Sequence, residues 1–366
     1  MKVMISGGGT GGHIFPALAI ADALRELVPG TDLLFVGAKG RMEMEKVPAA
    51  GYPIEGLWIS GLDRKNMFRN LAFPFKLVSS LRKSARLINR FRPDVVVGVG
   101  GFASGPLLEM ASRKGIPTLI QEQNSHAGLT NKLLAGKVDR ICVAFEGMET
   151  YFPASKIIFT GNPVRESLLK SQWTRENARA DLGLSPEQKV ILSLGGSLGA
   201  RTLNRMFGEN TDQIRSHKNI HFIWQYGSLY EEEYRQCATA ELPNVTAVKF
   251  IEDMAKMYAA SDLVVARAGA LTLTELAALG KAALLIPSPN VAEDHQTRNA
   301  RKLVDVDAAQ MLADSEAVAT GIEKMVSLVH QSEVLKSLGQ NIQKMYKPKA
   351  AHLIAQEIVK LGERHD

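Results

Sequence analysis

Residues 2–13 read Lys2-Val3-Met4-Ile5-Ser6-Gly7-Gly8-Gly9-Thr10-Gly11-Gly12-His13, and the pattern returns at 190–200 as Val190-Ile191-Leu192-Ser193-Leu194-Gly195-Gly196-Ser197-Leu198-Gly199-Ala200. Each is a short apolar run that breaks into glycines. Runs of this length between turn residues are the signature of a strand buried on both faces. The helical spacing of Ala17–Leu27 after the first turn makes that opening a strand–turn–helix unit. The chain outward from both openings keeps the rhythm: Leu33–Val36, Val95–Val99, Thr118–Gln121 and Arg140–Ala144 in the first part, then Ile220–Gln225, Val245–Phe250, Leu263–Ala266 and Ala282–Pro287 in the second. Between them the rhythm pauses at Gly161-Asn162-Pro163, and a polar stretch runs to about Gln188. Strands alternating with helices predict parallel sheets wrapped by helices, hence an α/β fold of two Rossmann-like domains, 1–163 and 164–345. Ligands of such sheets bind at the carboxyl ends of the strands, so two facing domains would make an interdomain cleft. The tail from Ala350 to Leu361 places Leu353, Ile354, Ile358 and Leu361 at helical spacing, without revealing which domain it packs on.

At 366 residues the chain is too long for one ordinary core and suits two domains. The two cysteines, Cys142 and Cys237, lie far apart, which predicts a reducing compartment and no disulfide framework. From Met1 the chain enters Val3–Ile5 and then glycines, so no signal peptide is expected. No run approaches the roughly 18 apolar residues of a membrane-spanning helix, and a cytoplasmic protein is expected. The net charge of +6 is uneven: residues 1–163 hold 20 Lys/Arg against 13 Asp/Glu, and the rest 24 against 25. From Arg64 to Arg92 nine Lys/Arg occur with no acidic residue, which favours an anionic partner.

The first glycine turn lacks an acidic residue at the end of the next strand, where a dinucleotide's ribose would be held; Leu33–Val36 runs into Gly37-Ala38-Lys39 instead. His13 stands directly after it. A histidine in such a turn is either a satisfied packing residue or, because its pKa lies near working pH, a general base or hydrogen-bonding partner. The second turn, Gly195–Ala200, is not followed by Gly-Lys-Ser/Thr, so it reads either as a diphosphate cradle without hydrolytic apparatus or as a structural tight turn. After Leu263–Val265, Ala266-Arg267-Ala268-Gly269-Ala270-Leu271-Thr272-Leu273-Thr274-Glu275 leads into a helix whose first turn is expected to carry Thr272, Thr274 and Glu275. Glu275 would then either complement the helix dipole or accept ribose hydroxyls. Pro287-Ser288-Pro289, Asp294-His295-Gln296 and Asn299 add polar groups suited to sugar hydroxyls, and together these loops make a nucleotide-sugar pocket. Asp305-Val306-Asp307 reads as a solvated loop, and no His/Cys/carboxylate cluster has metal spacing.

Within the basic block, Val78, Leu81, Ala85 and Ile88 follow the helix period and are expected in the core. Phe73, Pro74, Phe75 and Leu77 fall outside that stripe, beside Arg69 and Lys76. The segment is either an ordinary solvated helix or, since exposed aromatics with a cationic rim suit one, a contact with an anionic membrane surface. No nucleic-acid recognition module is present, and no nucleic-acid partner is expected.

Taken in order, these motifs resemble those of the bacterial N-acetylglucosaminyltransferases of glycosyltransferase family 28, which convert lipid I to lipid II. The resemblance covers essentially the whole chain. Its carriers in the first half are 7–16, Gly100-Gly101-Phe102-Ala103-Ser104-Gly105-Pro106, Glu122-Gln123-Asn124, Gly128-Leu129-Thr130-Asn131 and Gly161-Asn162-Pro163-Val164-Arg165. In the second half they are Gly195-Gly196-Ser197, Arg267–Ala270 with Glu275, and His295-Gln296. It implies a GT-B fold, with the C-terminal helix at about 346–366 returning to the first domain. It also implies UDP-GlcNAc as donor, undecaprenyl-diphosphate-MurNAc-pentapeptide (lipid I) as acceptor and inverting, metal-independent transfer without a cofactor. The implied donor contacts are Thr10, Gly11, Gly12, Asn124, Arg165, Ser197, Ile251 through its backbone, Ala270, Leu271, Thr272, Leu273, Thr274, Glu275 and Gln296. Gly101, Ser104 and Gly105 would lie at the acceptor diphosphate, and His13 is the candidate base. Peripheral attachment to the cytoplasmic face of the cell membrane, and association with cell-wall synthesis and division proteins, are implied as well. The chain departs from the family pattern at Gln121, commonly His, and Ala127, often Pro. A same-fold transferase acting on a diacylglycerol-type lipid, and a non-catalytic sugar-nucleotide-binding subunit, are the alternatives.

Overall fold

The computed structural model describes residues 1–61, 71–291 and 294–363. The chain forms two compact units: Met1–Arg165 together with Lys347–Asp366, and Glu166–Tyr346. In the first unit the strands are β1 (Lys2–Ser6), β2 (Asp32–Ala38), β3 (Ile54–Leu57), β4 (Val95–Gly98), β5 (Thr118–Glu122), β6 (Arg140–Val143) and β7 (Ile157–Phe159). They form one parallel seven-stranded sheet in the order β3-β2-β1-β4-β5-β6-β7. The second unit holds β8 (Lys189–Leu194), β9 (Ile220–Gln225), β10 (Val245–Val248), β11 (Leu263–Ala266), β12 (Ala283–Leu285) and β13 (Gln310–Met311), in the order β10-β9-β8-β11-β12-β13. Both are doubly wound sheets, with the strand order reversing beside their first strands, between β1 and β4 and between β8 and β11.

Alternation sorts the first sheet's side chains into two layers. Val3, Ile5, Leu33, Phe35, Val95 and Val97 pack with Ile14, Ala17, Ile20 and Leu24 of the helix Gly11–Leu27. Ile354, Ala355, Ile358 and Leu361 of the C-terminal helix Ala350–Glu363 complete that layer, so this helix belongs to the first unit. Met4, Leu34, Val36, Val96 and Ile120 face the other way, onto Leu87 and Ile88 of the helix Phe73–Phe91 and Leu107, Leu108 and Ala111 of the helix Ser104–Arg113. Such two-sided burial is why these strands read as continuous apolar runs.

Several expectations are corrected. On Phe73–Phe91 the buried stripe is Ser80, Ser84, Leu87 and Ile88, while Val78 is 46% exposed and Leu81 and Ala85 are half-buried. Small serines let the helix approach the sheet closely, and the Ser80 hydroxyl donates to the Trp58 carbonyl at 3.1 Å. Phe73, expected outside, packs against the core, and Leu77 is half-buried. On the last helix Leu353 faces outward, and Ala355 takes the buried place.

Candidate functional site

At the β1/β4 switch point two glycine loops pack against each other. The loop after β1 runs through Gly7, Gly8 and Gly9 into the helix Gly11–Leu27, and the loop after β4 turns on Gly100 and Gly101 into the helix Ser104–Arg113. Gly100 and Gly101 have φ of +88° and +86°, and a Cβ on Gly101 would lie 2.4 Å from the Gly8 carbonyl oxygen. Only glycine allows that approach. His13 sits in the first turn of its helix, half-buried, with Nδ1 3.0 Å from the Gly8 carbonyl oxygen and 3.3 Å from Thr10 Oγ1. A carbonyl only accepts, so the bond to Gly8 puts the proton on Nδ1 and leaves the lone pair of the neutral ring on Nε2. The imidazole edge lies against Gly100, where a Cβ would meet Nε2 at 2.8 Å.

Thr10 is exposed, and Gly11 and Gly12 begin the helix beside it, at the end of the macrodipole that favours negative charge. Gly101 and Gly105 lie on the facing loop and helix start. Ser104 differs from the expectation that it lines a ligand: its side chain is fully buried, with Oγ 2.8 Å from the Gly100 carbonyl and 3.0 Å from the Ser6 carbonyl. It ties the two loops together.

After β5, Asn124 is set by Glu122, whose Oε1 accepts from the Asn124 backbone N–H at 3.0 Å and from its side-chain amide at 3.2 Å. The other oxygen of Glu122 accepts from Gly128 N–H and Asn131 Nδ2, both at 2.9 Å, so the buried carboxylate closes the whole 122–131 loop. Gln121 is buried and donates to Asn162 Oδ1 at 2.8 Å, while Asn162 donates to the Gln123 carbonyl at 2.9 Å. Ala127 is also fully buried. Both departures from the family pattern therefore lie beneath the loop. The Arg165 guanidinium stacks over the Phe15 ring, 5.6 Å from its centroid, on the same helix as His13.

The second unit repeats the arrangement at the β8/β11 switch point. Gly196 and Gly199 take φ of +80° and +91°, and the N–H of Gly199 closes a turn onto the Gly196 carbonyl at 3.0 Å. Ser197 lies exposed at its tip, and the Gln225 side chain donates to the Gly196 carbonyl at 2.8 Å. Ala270–Leu279 is the helix after β11, so Ala270, Leu271 and Thr272 open it, and Leu273, Thr274 and Glu275 follow. Glu275 thus lies in the second turn, not the first as expected, and beyond the reach of the helix-end dipole. It is buried, and the Tyr258 hydroxyl donates to its Oε2 at 3.1 Å. The Thr274 hydroxyl donates back to the Ala270 carbonyl at 2.8 Å. Ile251 is buried just beyond β10, and Gln296, in the helix His295–Val304 after β12, accepts from the Ser288 N–H at 2.8 Å. Arg267 pairs with Asp314 and donates to the Ile286 carbonyl at 2.9 Å, bracing this edge of the unit.

All the expected donor residues of the second unit therefore gather at the carboxyl ends of its strands. The structure adds Glu43, Glu122, Gln225 and Tyr258, which orient expected residues or their loops. Among the described residues no three His, Cys, Asp or Glu side chains converge as metal ligands would. Of the expected membrane contacts, Phe75 is 72% exposed, and Lys76 is tethered to Ser60 Oγ at 2.9 Å. Arg69 lies outside the described residues. Trp58, Leu71 and Val78 are further exposed apolar side chains of this region.

The model for the glycosyltransferase family 28 N-terminal domain matches residues 3–143, and that for the family's C-terminal domain matches 190–356. The chain is 52% identical to the UDP-N-acetylglucosamine–N-acetylmuramyl-(pentapeptide) pyrophosphoryl-undecaprenol N-acetylglucosamine transferase of Bacteroides fragilis, covering 100% of this chain and 96% of that one. It is 48% identical to the transferase of the same name from Flavobacterium psychrophilum, covering 99% and 98%. The crystal structure of Acinetobacter baumannii MurG superposes with a TM-score of 0.79 at 32% identity over 98% of this chain and 99% of that one.

Proposed function

The chain belongs to glycosyltransferase family 28, and from that premise we infer that it transfers GlcNAc from UDP-GlcNAc to the 4-hydroxyl of MurNAc in undecaprenyl-diphosphate-MurNAc-pentapeptide, giving lipid II for peptidoglycan. The observation that carries this reading is near-complete coverage at about half identity with transferases of that name. The transfer inverts the anomeric centre. As the acceptor oxygen bonds to C1 of GlcNAc, the bond from C1 to the UDP oxygen breaks, and the acceptor proton passes to a base.

His13 is that base. Its Nδ1–H is committed to Gly8, which presents Nε2 as the proton acceptor. Donor binding falls to the second unit. The Glu275 carboxylate, oriented by Tyr258, accepts from the ribose hydroxyls, and the Ile251 backbone faces uracil. Gln296, with Oε1 taken by Ser288, donates through Nε2 to the sugar. Ser197, Ala270 and the helix starts after β8 and β11 stabilise the leaving diphosphate, the role a divalent cation fills elsewhere. In the first unit the family resemblance assigns Thr10, Gly11, Gly12, Asn124 and Arg165 to the donor, and Gly101 and Gly105 hold the acceptor diphosphate through backbone N–H groups.

The lipid acceptor places the work at a membrane. No described helix is long and apolar enough to cross one. The exposed apolar side chains of Phe75, Leu71, Trp58 and Val78, with the cations around them, support peripheral attachment, and the family resemblance places it on the cytoplasmic face. Cell-wall synthesis and division proteins are the partners this role calls for.

The test is transfer of radiolabelled GlcNAc from UDP-GlcNAc to a short-chain lipid I analogue in EDTA, with diacylglycerol as the control acceptor. Labelled lipid II analogue, undiminished by EDTA, is the expected product. Activity abolished by EDTA and restored by magnesium would remove the metal-independent mechanism, and transfer to diacylglycerol alone would remove the acceptor.

A further inference from the structure

Glu43 opens the short helix Glu43–Ala49 after β2 and is fully buried. Its two oxygens are both occupied: Oε1 accepts from the Ala38 N–H and Oε2 from the Gly9 N–H, each at 2.9 Å. The chain makes room for it, since a Cβ on Gly8 would fall 2.1 Å from Glu43 Oε1 and one on Gly37 2.5 Å from its Cγ. A buried carboxylate costs more than a neutral acceptor would, and two N–H groups need no charge to be satisfied. The charge has another use.

The Gly9 N–H and the Gly8 carbonyl are the two ends of one peptide group. At one end the N–H donates to Glu43, and at the other the carbonyl accepts from His13 Nδ1 at 3.0 Å. A carboxylate on the N–H polarises the amide and makes its oxygen a stronger acceptor, because hydrogen bonds in series reinforce one another. A Cβ on Gly101 would lie 2.4 Å from the Gly8 oxygen, so no side chain fits beside this peptide. The arrangement is a carboxylate–peptide–imidazole relay, in which one planar group stands between the acid and the ring.

We propose that Glu43 is the positioning carboxylate of the transfer: acting through the Gly8–Gly9 peptide, it fixes His13 as the Nδ1–H tautomer and supports the positive charge the ring acquires when Nε2 takes the acceptor proton. This rests on the reading of His13 as base. No atom of Glu43 exchanges a proton; the proton moves from the acceptor hydroxyl to His13 Nε2 alone. In a serine-protease triad the carboxylate touches the imidazole directly, and its amide variant loses about 10⁴-fold in kcat. With a peptide interposed, the loss expected for Glu43→Gln is smaller, roughly 10- to 100-fold.

The experiment is a double-mutant cycle on the full chain, with Glu43→Gln, His13→Ala and the pair compared for kcat, for KM of each substrate and for UDP-GlcNAc affinity. Glu43→Gln should lower kcat with donor affinity kept within about twofold, and should add less than about twofold to the loss already caused by His13→Ala. An equal loss in both backgrounds overturns the relay while leaving His13 as base. A His13→Ala variant with near-normal kcat overturns the base reading and the relay with it. Should Glu43→Gln fail to fold, the ¹⁵N signature of His13 in the unmodified protein decides: an Nδ1–H ring supports the relay, and an Nε2–H ring overturns it.

Discussion

One nitrogen of the His13 ring is anchored to a carbonyl, which in the neutral ring leaves the lone pair on the other, and the first prediction follows from that asymmetry. His13→Ala should lower kcat by roughly 10²–10⁴-fold with UDP-GlcNAc affinity nearly unchanged, read by steady-state kinetics beside equilibrium donor binding. A loss confined to KM would assign His13 to binding. At this scale the sequence exposes some residues and conceals others. His13 and Glu275 are visible because each is a reactive side chain among small residues at the end of an apolar run. Glu43 is not, because its chemistry depends on a fold that brings the end of β2 under the loop after β1, and nothing within its own stretch marks it as buried. Ser104 fails in the opposite direction. Its neighbours suggest a ligand contact, while its hydroxyl is spent on the Gly100 and Ser6 carbonyls.

At the scale of elements, the helix Phe73–Phe91 sets two buried serines against each other. The Ser80 hydroxyl donates to the Trp58 carbonyl, whereas the buried Ser84 hydroxyl has no hydrogen-bond partner among the described residues. Ser80→Ala should destabilise the protein by about 1 kcal/mol, and Ser84→Ala should be neutral or stabilising by up to about 1 kcal/mol. Thermal unfolding of the two variants separates them, and equal losses would contradict the assignment. The same helix shows why the element was legible and its face was not: apolar periodicity pointed to Val78 and Leu81, but close approach to the sheet selects small residues. The interior strands could be read because burial on both faces makes them apolar throughout. Of the four edge strands, β10 is legible in Val245–Phe250, whereas β3, β7 and β13 are only four, three and two residues long and only partly buried. A third prediction concerns Lys281, just past the helix Ala270–Leu279, whose Nζ donates to the Ser261 carbonyl. Burial pushes its pKa down to about 8, with Asp262 opposing and Arg179 and Arg175 adding to the fall. The unfolded chain therefore binds this proton more tightly, and stability rises as pH climbs from just below 8 toward the usual lysine value. From pH 7 to 9 the native chain should gain about 1 kcal/mol relative to Lys281→Met. A stability difference between the two that stays flat over that range would count against it.

Across the molecule, charge and apolar exposure fall together on the first unit. Of the basic block, Lys83 and Arg90 both pair with Glu55, which offsets one of their two charges and whose carboxyl their hydrogen bonds hold below the usual range. Arg82 and Arg86 are exposed on the same helix as Phe75 and Val78, and Trp58 is joined to that helix through Ser80. Exposed aromatics insert at the depth of lipid headgroups, and each nearby cation adds about 1 kcal/mol on an anionic surface, an attraction that salt screens. Binding to vesicles rich in anionic phospholipid should therefore weaken with ionic strength and be nearly absent on neutral vesicles. Phe75→Glu combined with Leu71→Glu should remove it by adding charge where apolar contact is needed. Because neither side chain belongs to the switch-point loops, this double variant should keep its kcat on a water-soluble, short-chain acceptor while losing turnover of a long-chain acceptor embedded in vesicles. Equal losses on both acceptors would mean that the patch serves the fold or the chemistry, and the membrane would have to be met elsewhere. Selective loss on the embedded acceptor makes the first unit both the carrier of the base and the part that reaches the lipid, an economy that suits a substrate whose reacting sugar is tied to the bilayer by a diphosphate.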